Sequence, residues 1–162
     1  MCQTHRRRFL SRLAAGGFAL TPLAATLSAC GKAGWPEGMA EIKWDRDTCA
    51  RCSMVISDRR FAAEVRGGPK DTAFKFDDPG CLAFWLRDKA AEHPWLADPG
   101  TRIWVADYAS KPDNIAWLDG RKAHYSGGKH SPMGYGYAAY AQPQPGSLDF
   151  AGMREHVVLK GK

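Results

Sequence analysis

The sequence predicts an α+β protein of two small ββαβ units, set behind an export segment and a flexible tether. Three observations carry that expectation. Phe74 and Phe76 alternate with Thr72, Lys75 and Asp77, which is the period of a half-buried strand. Asp78-Pro79 follows at once, and Asp at the cap with Pro at the first helical position is a helix start. Ser131-Pro132 then repeats the cap-and-proline order ahead of a second aromatic run. The boundaries expected are 1–29 for the export segment, 30–41 for the lipidated N-terminus and tether, 42–109 for the first unit, and 110–162 for the second with a divergent tail.

The first thirty residues read as an address. Arg6-Arg7-Arg8-Phe9-Leu10 fits the twin-arginine pattern, with His5 where Ser or Thr is usual. An apolar run from Leu13 through Leu27 follows, broken by glycines and Pro22, and it is shorter than the roughly 20 apolar residues of a membrane span. Leu27-Ser28-Ala29-Cys30 has the form of a bacterial lipobox, so Cys30 is expected to carry the lipid and to hold the body on the periplasmic side of a membrane. No Asp follows Cys30, which points to sorting to the outer membrane. The formal charge of +6 includes Arg6, Arg7, Arg8 and Arg12, and no acid precedes Cys30, so the body carries only +6 − 4 = +2. That balance argues against nucleic acid as a partner, because phosphate binding needs clustered Lys and Arg.

Along the body, Gly31 to Gly38 reads as the tether and the fold is expected to begin near Ile42. Val55-Ile56 and Phe61 to Val65 read as strands around the polar turn 57–60, with Gly67-Gly68-Pro69 ending the second. The strand at Phe74 and Phe76 comes next, then the helix from Asp78 to about Glu92, which His93-Pro94 ends. Arg102 to Ala106 is a strand. Asn114 to Leu118 and Ala123 to Ser126 predict a hairpin around Asp119-Gly120. Ser131-Pro132 predicts a second aromatic-rich helix, matching the first in order of strand, cap, proline, sulfur residue and helix. In the tail, Asp149 to His156 fits a short helix, while Val157 to Leu159 fits a strand equally well.

Chemistry concentrates at Cys49-Ala50-Arg51-Cys52-Ser53-Met54. Three thiols remain in the body, Cys49, Cys52 and Cys81, and an odd number cannot all pair within one chain. A thioredoxin-like motif would need the Cys49-x-x-Cys52 pair at a helix start, and a structural zinc site would need two further ligands, drawn from Cys81, His124 and His130. The third reading is a Cu(I) site, for which thiolate and thioether are matched soft donors. In an extended segment Cys52 and Met54 point the same way. Met133, beside the flexible Gly134 and Gly136, is the natural third donor, and His130 could add a nitrogen. Cys81 reads as a buried thiol. Asp77 and Asp78 read as a strand end and a cap, or as carboxylates that orient the metal ligands from behind.

The lipobox, Cys49-x-x-Cys52-x-Met54, Phe76-Asp77-Asp78-x-Gly80-Cys81 and Pro132-Met133-Gly134 together resemble, in order, the NosL family of nitrous oxide reductase accessory lipoproteins, over roughly 42–140. The resemblance implies a fold related to organomercurial lyase and a non-enzymatic Cu(I) chaperone. It implies Cys52 and Met54 as copper ligands, with Met133 and His130 as further candidates; Cys49 is a candidate from its place in the motif, or a spare or protective thiol. Its implied partners are nitrous oxide reductase and a membrane transporter complex. Two departures stand out: Ser53 replaces the Gly often found there, and no long helix is evident after Tyr140. The alternative class is a thiol enzyme, organomercurial-lyase-like or disulfide-exchanging, using Cys49, Cys52 and Cys81.

Overall fold

Val65 fixes the register of the main sheet, facing Phe74 on one neighbouring strand and Ile103 on the other. The computed structural model describes residues 34–161, within a compact unit spanning Gly31–Lys162. The export segment and Cys30 lie outside the described residues. The first half runs β1 (Ala63–Gly67), β2 (Thr72–Phe76), α1 (Pro79–Asp88) and β3 (Arg102–Ala106), which is the ββαβ order expected. With β4 (Trp117–Asp119) these strands make an antiparallel sheet in the order β2-β1-β3-β4. A second sheet pairs β5 (His124–Ser126) with β6 (Ala138–Tyr140), and α2 (Phe150–Lys160) closes the chain.

The period-two pattern sorts the main sheet into two faces. Ala63, Val65, Phe76, Ile103 and Val105 pack inward with Leu82, Trp85, Met153 and Val157 of the two helices. Each such aliphatic side chain taken fully out of water contributes on the order of 1.5–3 kcal/mol. Glu64 and Trp104 face each other on the outer side, where Met39, Ile42 and Ile56 cover them. The chain is therefore already packed at 35–41, where the sequence suggested a tether: Met39 is buried, and Ala40 N–H donates to Glu64 Oε1 at 2.8 Å.

Three local expectations are corrected. Val55 and Ile56 form no strand of the sheet; Val55 makes a single bridge to Thr48, and Ile56 N–H donates to the Asp47 carbonyl at 2.9 Å. The predicted hairpin around Asp119-Gly120 is a crossing between sheets, because β4 continues the ladder of β3 while β5 pairs with β6. No helix starts at Ser131-Pro132. Gly134 and Gly136 sit at φ 70° and 80°, left-handed values that no helix accommodates, and the Ser131 hydroxyl accepts from Gly136 N–H instead of capping a helix. The second helix lies beyond β6, where Asp149 accepts from Gly152 N–H and Phe150, Met153 and Val157 form the buried stripe. That 3–4 spacing decides the tail in favour of helix.

Candidate metal centre

The loop that carries the sulfur motif is closed on itself. Cys49 N–H donates to the Met54 carbonyl at 2.8 Å, Ser53 N–H donates to the Cys49 carbonyl at 2.9 Å, and Ala50 N–H ties the loop to the Lys75 carbonyl on β2 at 2.8 Å. Ser53 adopts φ 62°, a left-handed conformation that favours glycine, which accounts physically for Gly in the resembled motif. This turn also breaks the extended geometry that would have aimed Cys52 and Met54 together. Cys52 turns inward, its thiol 3.5 and 3.6 Å from the two oxygens of Asp77, while Met54 is 56% exposed.

Asp77 ends β2 and Asp78 caps α1, accepting from Gly80 N–H at 2.7 Å. Cys81 falls in the first turn of that helix. One carboxylate and three thiols thereby converge: ligand atoms of Cys49, Cys52, Asp77 and Cys81 all lie within 4.8 Å of one another. Cys49, Asp77 and Cys81 are buried, and Cys52 is half-buried. None of the three thiols is in a disulfide.

The environment separates the thiols. A hydrogen bond from Cys81 lowers Cys49 to about 7, against burial, with backbone N–H groups of Cys52, Asp77 and Arg51 adding to the effect. Burial foremost pushes Cys52 up to about 11, and the neighbouring Cys49 and then the charge on Asp77 add to the rise. Cys81 is pushed far above an ordinary thiol, first by its hydrogen bond to Cys49 and then by burial. The hydrogen-bonded Cys49–Cys81 pair thus gives up its first proton before Cys52 does. Arg51 brings positive charge to the same place: its guanidinium lies 4.3 Å from the Phe84 ring centroid, donates to the Tyr135 hydroxyl at 2.5 Å, and interacts with Cys81.

The far half of the chain reaches this centre through the cap of α1. Asp78 Oδ2 accepts from Met133 N–H at 3.1 Å, and its carboxylate also bonds the Ser131 side chain. Met133 is half-buried against the core, and Tyr135 packs closely on Gly80. His130 is exposed and stands outside the group of converging ligand atoms. Asp78 acts as a cap and a tie to the 131–136 loop. Sequence reasoning passed over Cys81 as a ligand and missed Arg51 and Tyr135. The cap signal at Asp78-Pro79 could have found Cys81, because it sets that residue at the third helical position, on the end facing the Cys49 loop. Nothing local in the sequence pairs Arg51 with Tyr135.

Three soft thiolates and a carboxylate with a cation alongside can hold a soft ion such as Cu(I), for which two or three sulfur ligands suffice. No family model and no curated protein matches the sequence. Among solved structures, the chain is similar to the copper chaperone NosL from Shewanella denitrificans, with a TM-score of 0.53 at 16% identity, over 74% of this chain and 88% of that one. The likeness is one of fold.

Proposed function

We propose that this protein is a carrier of Cu(I), lipid-anchored through Cys30 on the periplasmic side, that supplies copper for assembly of the copper clusters of nitrous oxide reductase together with a membrane transporter complex. The observation that carries the copper-binding part is the convergence of Cys49, Cys52, Cys81 and Asp77 within 4.8 Å. Cargo Cu(I) is held by Cys49, Cys52 and Cys81. Cys52 is the ligand nearest solvent, and Met54, exposed two residues on, is the thioether to which the ion moves as it leaves for a partner. Met133, whose backbone is tied to Asp78 beside the centre, is the candidate further thioether donor from the 131–136 loop. Arg51 offsets the negative charge that three thiolates and Asp77 place around a monovalent ion. The fold shared with a copper chaperone supports this reading, and the client enzyme follows from the motif resemblance.

A thiol-enzyme role is disfavoured by burial. The hydrogen-bonded Cys49 and Cys81 are both buried and cannot meet an external substrate, whereas the accessible Cys52 is held up at about 11. The test is anaerobic Cu(I) competition titration of the chain and of Cys52→Ser, Cys81→Ser and Met54→Leu. Both cysteine variants should weaken binding strongly, and Met54→Leu should chiefly slow transfer to an acceptor. Equal affinity in all four proteins would contradict the assignment. Copper-cluster content of nitrous oxide reductase in cells lacking this protein tests the client.

A further inference from the structure

The outer face of the main sheet carries a feature that copper binding leaves unused. Trp35, Trp44 and Trp117 touch one another, with ring centroids 5.3 to 6.4 Å apart, and they line a slot of about 100 Å³. Two opposite charges share the lining. The Arg59 guanidinium lies 5.3 Å from the Trp44 ring centroid and donates to the Pro112 carbonyl at 3.2 Å, and the Asp113 carboxylate is exposed, with no ion pair or hydrogen bond to another described residue.

Each indole is half-buried, with an apolar body against Met39, Ile42 and Ile56 and an edge toward water. Tryptophan so placed is the side chain of bilayer interfaces, where one end is apolar and the other wet. Trp35 also follows Cys30 by five residues, so its Cα lies within about 18 Å of the Cα of the lipid-bearing residue whatever path the chain takes. A slot of this size holds the share of roughly three water molecules, which admits an ammonium group and excludes an acyl chain. Indole faces and a carboxylate attract an ammonium, and a guanidinium attracts a phosphate. The occupant that matches both charges is a zwitterionic phosphoethanolamine headgroup.

We propose that the Trp35–Trp44–Trp117 slot seats the body on the bilayer by taking the headgroup of an ethanolamine phospholipid, with its ammonium against the indoles and Asp113 and its phosphate on Arg59. This rests on the lipid-anchored reading only for the nearness of a bilayer, and it needs no metal. Seating the body would also limit the directions from which a partner approaches the copper centre.

The test uses the protein purified from bacterial membranes and reconstituted in vesicles of phosphatidylethanolamine with phosphatidylglycerol, or of phosphatidylglycerol alone. Tryptophan emission should shift to the blue and resist aqueous quencher in the ethanolamine vesicles only. The double variant Arg59→Gln/Asp113→Asn should lose that difference while keeping its circular dichroism. Identical emission in both vesicles, or a difference that survives the double variant, overturns the proposal. Free phosphoethanolamine that reproduces the shift without vesicles overturns the bilayer as its source. The mass of the Cys30 peptide and anaerobic Cu(I) loading, measured on the same samples, report on the lipid-anchored carrier separately.

Discussion

Asp77 holds both carboxylate oxygens 3.5 and 3.6 Å from the Cys52 thiol. A buried anion at that distance disfavours a second one, and so adds to the burial that raises Cys52. Replacing Asp77 with Asn keeps the shape and removes the charge. The pH at which Cys52 becomes reactive to iodoacetamide, followed by peptide mass in the metal-free protein, should move down. An unchanged profile would remove Asp77 from the electrostatics of the site.

The centre also depends on a glycine. A Cβ at Gly80 would lie 2.2 Å from Cγ of Tyr135, so Gly80→Ala must push that ring off α1 and away from Arg51. Overpacking of this kind costs about 1–3 kcal/mol. Urea unfolding of a double-mutant cycle checks the cause: in a Tyr135→Ala background the cost of Gly80→Ala should nearly vanish. An additive pair would place the effect elsewhere.

Much of this arrangement was legible in the sequence. The alternation of Phe74 and Phe76, the Asp78-Pro79 cap and the Arg102 to Ala106 run gave the first ββαβ unit, because each signal is local. The second half was misread where tertiary structure decides. Ser131-Pro132 has the letters of a helix start, but Gly134 and Gly136 take left-handed conformations that end it. The Asp119-Gly120 turn has the letters of a hairpin, yet its two arms find different partners. The Cys49 loop reads in the sequence as an extended segment, whereas in the fold it closes on itself. Its partners Asp77 and Cys81 sit 25 and 29 residues away from Cys52, beyond the reach of spacing rules.

Ser53 offers a direct check of that loop. A serine at φ 62° carries backbone strain on the order of 1 kcal/mol, which glycine relieves and then partly returns as chain entropy. Ser53→Gly should leave stability level or raise it by up to about 1 kcal/mol, and Ser53→Val, β-branched at a left-handed position, should lower it by about 1–2 kcal/mol. Chemical denaturation of the two variants measures both. A stabilising valine would mean that the residue is not left-handed in solution.

Glu64 predicts how stability depends on pH. It is fully buried on the outer face of the sheet, with Oε1 accepting from Ala40 N–H and Oε2 without a hydrogen-bond partner among the described residues. Burial raises it from 4.5 to about 7, against the nearby charges of Lys75, Arg66 and Arg102. Because the folded value is the higher one, the stability tied to this group is complete below 4.5 and is lost as pH rises through about 7. The gap corresponds to roughly 3 kcal/mol as an upper bound. Glu64→Gln should therefore melt higher than the parent at pH 8 and level with it at pH 4. A gap of the same size at both pH values would contradict the assignment.

The claim on which the account turns is a sulfur site for Cu(I) built from Cys49, Cys52 and Cys81. X-ray absorption at the copper edge of anaerobically loaded protein reads the donor atoms directly. The account predicts about one Cu(I) per chain in an all-sulfur environment of two or three ligands, with a sulfur lost in Cys81→Ser. A nitrogen- or oxygen-dominated spectrum, or one unchanged by Cys81→Ser, would contradict it.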